Sequence, residues 1–156
     1  MIRLTIPGRG DIQLQHVVFD VNGTLAVDGV LIDGVVERLN RLREQLQIHL
    51  ITADTHGRQA EIDAQLGLTA HRMQPNHERQ QKAALVSELD RHTTVAIGNG
   101  NNDVWMLEAA AIGIAVLGRE GLSAEAMRAA DVVTPSILDA LDLLLNPARL
   151  VATLRR

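Results

Sequence analysis

Hydrophobic positions along this chain alternate between short unbroken runs and stretches where they recur every three or four residues. Ile2–Ile6 and Ile12–Gln15 flank Pro7-Gly8-Arg9-Gly10, a pattern that predicts an amino-terminal β-hairpin. His16–Phe19 is an apolar run with β-branched residues and reads as a buried strand. After a glycine-containing loop, Val35, Leu39, Leu42 and Leu46 recur at helical spacing, with Asp33 as the expected N-cap. Ile48–Thr52 predicts the next strand. His56–Leu66 predicts a helix capped by Asp54 and stopped by Gly67. Leu68–Met73 is a short strand, and His77–Leu89 a helix with Ala84, Leu85 and Leu89 on one face. Strands are then expected at Thr94–Ile97, Ile112–Leu117 and Asp131–Thr134. Helices are expected at Asp103–Ala111, Ser123–Ala130, Ile137–Leu145 and beyond Pro147.

Strands and helices that alternate in this way build a mostly parallel sheet covered on both faces, a Rossmann-like α/β three-layer sandwich. The continuous apolar strands fit that burial. No repeat or linker interrupts the pattern, and 156 residues suit one domain, residues 1–156. At 46% hydrophobic residues the chain has a core to bury, yet it holds only two aromatics, Phe19 and Trp105. Trp105 is expected in the core or an interface, and Arg38, Arg41 and Arg43 on a solvated helix face. A formal charge of −4 argues against nucleic acid as a partner. No cysteine is present, so disulfides, thiolate metal sites and cysteine nucleophiles are excluded. No apolar run is long enough for a bilayer and the first residues lack a signal-peptide core, so no membrane association and a cytoplasmic location are expected. The six histidines show no paired metal spacing, although His56 and His77 begin helices on the expected site face.

In such sheets ligands bind beyond the carboxyl ends of the strands. Four of those ends carry suggestive chemistry: Asp20-Val21-Asn22-Gly23-Thr24-Leu25, then Thr52-Ala53-Asp54, then Lys82 in the following helix, then Gly98-Asn99-Gly100-Asn101-Asn102-Asp103. Phosphoryl transfer needs a set of this kind, because catalysis there is mainly positioning and charge neutralisation. A carboxylate can accept the phosphoryl group as an aspartyl phosphate. Mg²⁺ binds through one or two carboxylates plus phosphate oxygens, and Asp20 and Asp103 can supply them. Lys82 brings a compact positive charge, and Thr52 a hydroxyl donor. Gly23 leaves room for the backbone of the Asp20 loop to approach a phosphate. Of the 15 basic residues Lys82 is the single lysine, which sets it apart from the arginines used everywhere else.

Plainer readings compete at each position. Asn22-Gly23 suits a type I′ hairpin turn between Val17–Val21 and Thr24–Val27. Gly98-Asn99-Gly100 suits a flexible loop or half a dinucleotide fingerprint, though the third glycine of that fingerprint would fall at Asp103. Asp103 suits a helix N-cap, Thr52 a strand end, and Lys82 a solvated surface.

Taken in order, the four segments resemble the motifs of the haloacid dehalogenase (HAD) superfamily over Phe19–Thr134. The first is similar to Asp-x-Asp-Gly-Thr-Leu. Gly98–Gly118 and Ala130-Asp131-Val132-Val133 further resemble the phosphorylation domain of P-type ATPases. The resemblance implies a HAD-like fold and a phosphatase activity with Asp20 as nucleophile. It implies Mg²⁺ on the Asp20 carboxylate, the Asn22 backbone carbonyl and Asp103, with Asn99 as a further candidate. Asp20, Val21, Asn22, Gly23, Thr52, Ala53 and Lys82 would surround the phosphoryl group.

Two positions depart from the pattern. Asn22 stands where these phosphatases carry an acid–base aspartate, and Asn99 where the fourth motif carries an acid. An amide cannot relay a proton, and lost acid–base catalysis is worth roughly 10²–10⁴ in rate. The expectation is a slow phosphatase or one with a long-lived phosphoenzyme, the alternatives being a non-turnover phosphate-binding or phospho-accepting module and a scaffold that keeps only the fold. Only Ala26–Gly34 separates the first motif from its helix, so essentially no cap domain is expected. An open site suits a large or macromolecular substrate such as a phosphoprotein, or a small phosphorylated substrate in a site closed by a neighbouring copy in a homo-oligomer. Asp28–Gly34 resembles the flap of small capless sugar-phosphate phosphatases.

Overall fold

A computed structural model describes residues 1–156. The hairpin forms as expected: β1 (Ile2–Ile6) pairs antiparallel with β2 (Gly10–Leu14), and their inward residues Ile2, Leu4, Ile6 and Leu14 are buried. The chain then enters β3 (His16–Asp20), the middle of a six-stranded sheet. A two-strand flap follows, β4 (Ala26–Val27) and β5 (Val30–Leu31), then α1 (Val35–Leu42). Next come β6 (Gln47–Thr52), α2 (Gln59–Leu66), β7 (His71–Arg72), α3 (Glu78–Glu88) and β8 (Thr94–Gly98). A single 3₁₀ turn (Asn101–Asp103) leads into α4 (Val104–Ala109), β9 (Ile112–Val116), α5 (Ala124–Ala129), β10 (Val132–Thr134), α6 (Ile137–Leu145) and α7 (Pro147–Leu154). No helix is long and apolar enough to cross a membrane.

The strand order is β10-β9-β8-β3-β6-β7, with every neighbouring pair parallel. The chain runs outward from β3 through β6 to β7, crosses back to β8, and runs outward again. The strand order therefore reverses beside β3, and the carboxyl ends of β3 and β8 flank the crevice where ligands of such sheets bind. One sheet face packs Val17, Phe19, Val95 and Ile97 against the apolar sides of α1, α2, α6 and α7. The other packs Val18, Ile51 and Ala96 against α3, α4 and α5. Asparagine–glycine at 22–23 is not a hairpin turn: β3 pairs in parallel with β6 and β8, and the chain after Asp20 coils back on itself through Thr24, Leu25 and Ala26 N–H bonds to the Val21 carbonyl.

Several local expectations need correction. Gly34, at φ 90°, occupies the N-cap of α1, a conformation Asp33 would adopt only with strain. α2 begins at Gln59, because Asp54 and Gly57 at positive φ form a turn first; Asp54 still caps it by accepting from the Gln59 N–H at 3.1 Å. The Leu68–Met73 strand shrinks to two residues, which pair with Ile51 and Thr52. Arg38 is not merely solvated: it forms an ion pair with Asp142 of α6 at 2.8 Å, and Arg43 donates to the Leu66 carbonyl at the end of α2. Trp105 lies 41% exposed on α4 and outside the core.

Candidate active site

Three separate parts of the fold bring their charges to one point. β3 ends on Asp20, α3 sends Lys82 inward from its second turn, and the 3₁₀ turn after β8 presents Asp103. Lys82 Nζ donates to Asp20 Oδ1 at 2.7 Å and to Asp103 Oδ1 at 2.6 Å. Lys82 and Asp103 have no solvent exposure, and Asp20 has 6%. A solvated role for Lys82 is ruled out. Burial pushes the Asp20 carboxyl up from 3.8 to about 7 and the Asp103 charge adds to that, while Lys82 and the Thr24 hydroxyl pull it down. Burial also opposes the charge on Lys82, but the two carboxylates outweigh it and hold the ammonium above the ordinary lysine range.

The loop after β8 is built around Asp103. Its Oδ2 accepts from the Asn99 N–H at 2.9 Å and the Gly100 N–H at 2.8 Å, so the carboxylate organises the loop from inside rather than capping α4. This closeness requires glycine at 98, since a Cβ there would stand 2.5 Å from Asp103 Cγ. Three protein donors thus occupy the Asp103 oxygens. The Asn99 carboxamide oxygen turns to Thr24 Oγ1, whose hydroxyl also lies 3.1 Å from Asp20 Oδ2. Gly23, at φ 82°, fits against the Asn99 amide, where a Cβ would fall 2.7 Å from Nδ2. Its own N–H is spent on the Ala26 carbonyl at 2.8 Å, so Gly23 acts here through the shape it gives the loop.

Thr52, at the end of β6, is buried beside Asn22 and does not itself line the adjoining cavity. Its oxygen accepts from the Asp54 N–H at 2.9 Å and from Asn22 Nδ2 at 3.4 Å, which leaves its proton free to donate outward. The Asn22 amide also donates to Thr55 Oγ1 at 3.1 Å. Asp20, Asn22, Ala53, Lys82 and Asn99 line a cavity of about 250 Å³ at the sheet's carboxyl edge. Val21 lies buried behind them. Thr55, Glu78, Asn102 and Glu120 line the same cavity and were not foreseen. Glu78 precedes Lys82 by one helical turn and accepts from Asn102 Nδ2 at 3.0 Å. Neither His56 nor His77 lines the cavity. A larger groove of about 610 Å³, lined by Val30, Leu31, Leu117 and Leu138, runs beside the flap and adjoins the site at Thr24 and at Gly118 and Arg119.

The donor set fits a small hard divalent cation. Asp20 Oδ2 and Asn99 Oδ1 converge on the single Thr24 proton, which can serve only one of them at a time. All candidate donors are oxygen, the type Mg²⁺ takes. With Asp20 and Asp103 ionised against one lysine, the cluster is left one charge short of neutral.

A family model described as haloacid dehalogenase-like hydrolase matches residues 80–139. An uncharacterised protein of Methanocaldococcus jannaschii is 52% identical over 61 residues, 39% of this chain and 66% of that protein. Phospholipid-transporting ATPase 2 of Arabidopsis thaliana is 53% identical over 53 residues, 33% of this chain but only 5% of the ATPase. Among solved structures, a putative 3-deoxy-D-manno-octulosonate 8-phosphate phosphatase from Vibrio cholerae superposes with a TM-score of 0.71 at 18% identity, covering 92% of this chain and 94% of that one. That last likeness concerns the fold.

Proposed function

We propose that the chain, whose residues 80–139 match a haloacid dehalogenase-like hydrolase model, is a Mg²⁺-dependent phosphohydrolase acting through a phosphoryl group carried on Asp20. One observation carries the proposal: a buried lysine bridges two carboxylates at the crevice where the strand order reverses. A fully buried lysine is rare, and it has a reason to be here if a phosphoryl group must sit beside Asp20. Mg²⁺, held by Asp20, the Asn22 carbonyl, Asn99 and Asp103, would supply the positive charge that lets an anionic nucleophile meet an anionic substrate.

The chain's own residues do the rest. The Asp20 carboxylate attacks phosphorus, and the bond to the leaving oxygen breaks. Lys82 and the Thr52 hydroxyl hold the transferred oxygens. Asn22 does not protonate the leaving group; its amide is engaged with Thr52 and Thr55 and orients the wall instead. Asp103 acts on the cluster chiefly by fixing Lys82 and the loop around Asn99. Water then attacks the aspartyl phosphate, frees Asp20 and releases inorganic phosphate. The flap of four paired residues leaves the cavity open, so the substrate is a small phosphorylated molecule or a phosphoprotein side chain.

A phosphatase assay over a panel of phosphorylated metabolites, with and without Mg²⁺, tests this. Multiple turnover that depends on Mg²⁺ and disappears in Asp20→Asn is expected. The engaged Asn22 amide favours one second reading, a phospho-accepting module. That reading would give one phosphoryl group per chain and no release.

A further inference from the structure

Asn22 leaves the second half of the reaction without a base: an aspartyl phosphate is opened by water, and something must take that water's proton. Two carboxylates outside the charged cluster line the cavity, Glu78 and Glu120. Glu78 is committed to the Asn102 amide. Glu120 is exposed and has no hydrogen-bond or ion-pair partner on the protein, and it stands at the tip of a tight turn. That turn is Gly118–Gly121, closed by the Gly121 N–H on the Gly118 carbonyl at 3.0 Å.

The turn is fastened to the site on two sides. Asn99 Nδ2 donates to the Gly121 carbonyl at 3.2 Å, and the Asn99 carbonyl accepts from the Ser123 N–H at 2.9 Å. Gly118 packs against the nucleophile loop so closely that a Cβ would lie 3.3 Å from the Gly23 carbonyl oxygen. An ionised aspartate at 99 has no N–H and could not make the bond to Gly121. The same residue that removes an acid from the fourth motif therefore anchors the turn that carries another.

We propose that Glu120 is the general base of dephosphorylation, an inference that rests on Asp20 being the phosphoryl carrier. Water attacks the phosphorus of the aspartyl phosphate; the new O–P bond forms as the P–O bond to Asp20 breaks. One water proton passes to the Glu120 carboxylate, the other stays on the departing phosphate, and Asp20 is released as carboxylate. Exposed on the rim and without a partner on the protein, the Glu120 carboxylate is open to a water in the cavity.

Rapid-quench kinetics with an aryl phosphate and Mg²⁺ separate the two half-reactions. In Glu120→Gln, phosphoenzyme should form at the wild-type rate and its hydrolysis should slow by ~10²-fold or more, so that labelled enzyme accumulates. Glu120→Asp should restore part of the loss, and Arg119→Gln, in the same turn, should change neither step. Wild-type hydrolysis in Glu120→Gln overturns the inference while leaving Asp20 in its role. Equal slowing of both steps in Glu120→Gln and Arg119→Gln also overturns it, since the turn would then be only structural. If Asp20→Asn keeps full turnover, the reading beneath the inference fails, and the inference with it.

Discussion

Lys82 donates to the Asp20 carboxylate over 2.7 Å from a position with no solvent exposure at all. The bond spans β3 and α3, and a second bond from the same nitrogen reaches Asp103 beyond β8. Removing the lysine would leave two buried carboxylates facing one another. Lys82→Met is expected to lower stability by ~3–5 kcal/mol, as when one partner of a buried ion pair is lost. The deficit should shrink as pH falls, because protonation of Asp20, whose carboxyl burial already pushes up, relieves the repulsion. Lys82→Arg should not rescue it, since a planar fork cannot occupy the place of a compact ammonium. Urea denaturation at neutral and acidic pH measures both effects.

Asn22→Asp restores a carboxyl group beside Thr52 and Thr55. Turnover on alkyl phosphates, whose leaving oxygen needs a proton, is expected to rise ~10²-fold, with a smaller gain on aryl phosphates. Paired steady-state assays on the two substrate types check this; no difference between wild type and variant would count against the account of Asn22.

Gly98→Ala places a methyl group where Asp103 Cγ already stands, 2.5 Å away. Overpacking of this kind costs ~1–3 kcal/mol and moves Asp103 relative to Lys82. A fall in melting temperature of roughly 2–12 °C, together with loss of phosphatase activity, is the expected result.

A histidine row runs obliquely across one side of the sheet, from His16 at the amino end of β3 through His49 to His71, which pairs with Ile51. His16 Nδ1 lies 3.2 Å from His49 Nε2, and the His49 ring centroid is 6.1 Å from that of His71. Burial first, and then the charges of His16 and His71, lower His49 from 6.5 to about 4. The unfolded chain therefore binds this proton more readily than the folded one. The contribution of His49 is complete above about pH 6.5 and is lost as pH falls toward 4. Thermal melts of His49→Gln across that window should show a flatter acid limb than wild type.

The alternation of apolar runs and helical periods was enough to read the three-layer architecture, because strands covered on both faces cannot look polar. Asp20, Thr52, Lys82 and Asp103 were legible for a related reason: each sits at or after a strand's carboxyl end, and the lone lysine stood out against fourteen arginines. Glu78 and Glu120 were missed although signals existed. Glu78 shares a helix face with Lys82 four residues on. Glu120 follows β9, a fifth strand of the parallel sheet, just as the other site residues follow theirs. The starts of α1 and α2 differ from the expected ones because positive-φ turns precede both helices, at Gly34 and at Asp54–Gly57, although the Asp54 carboxylate still caps α2. The commitment of the Gly23 N–H to Ala26 depends on how a loop folds on itself, which residue identity alone does not encode.

The central claim is that Asp20 carries the phosphoryl group. The most direct test is to quench the protein in acid during turnover with Mg²⁺ and an aryl phosphate, and to map the adduct by peptide mass spectrometry. The account predicts one phosphoryl mass on the peptide containing Asp20, removed by hydroxylamine and absent in Asp20→Asn. An adduct on another residue, or undiminished turnover in Asp20→Asn, would contradict it.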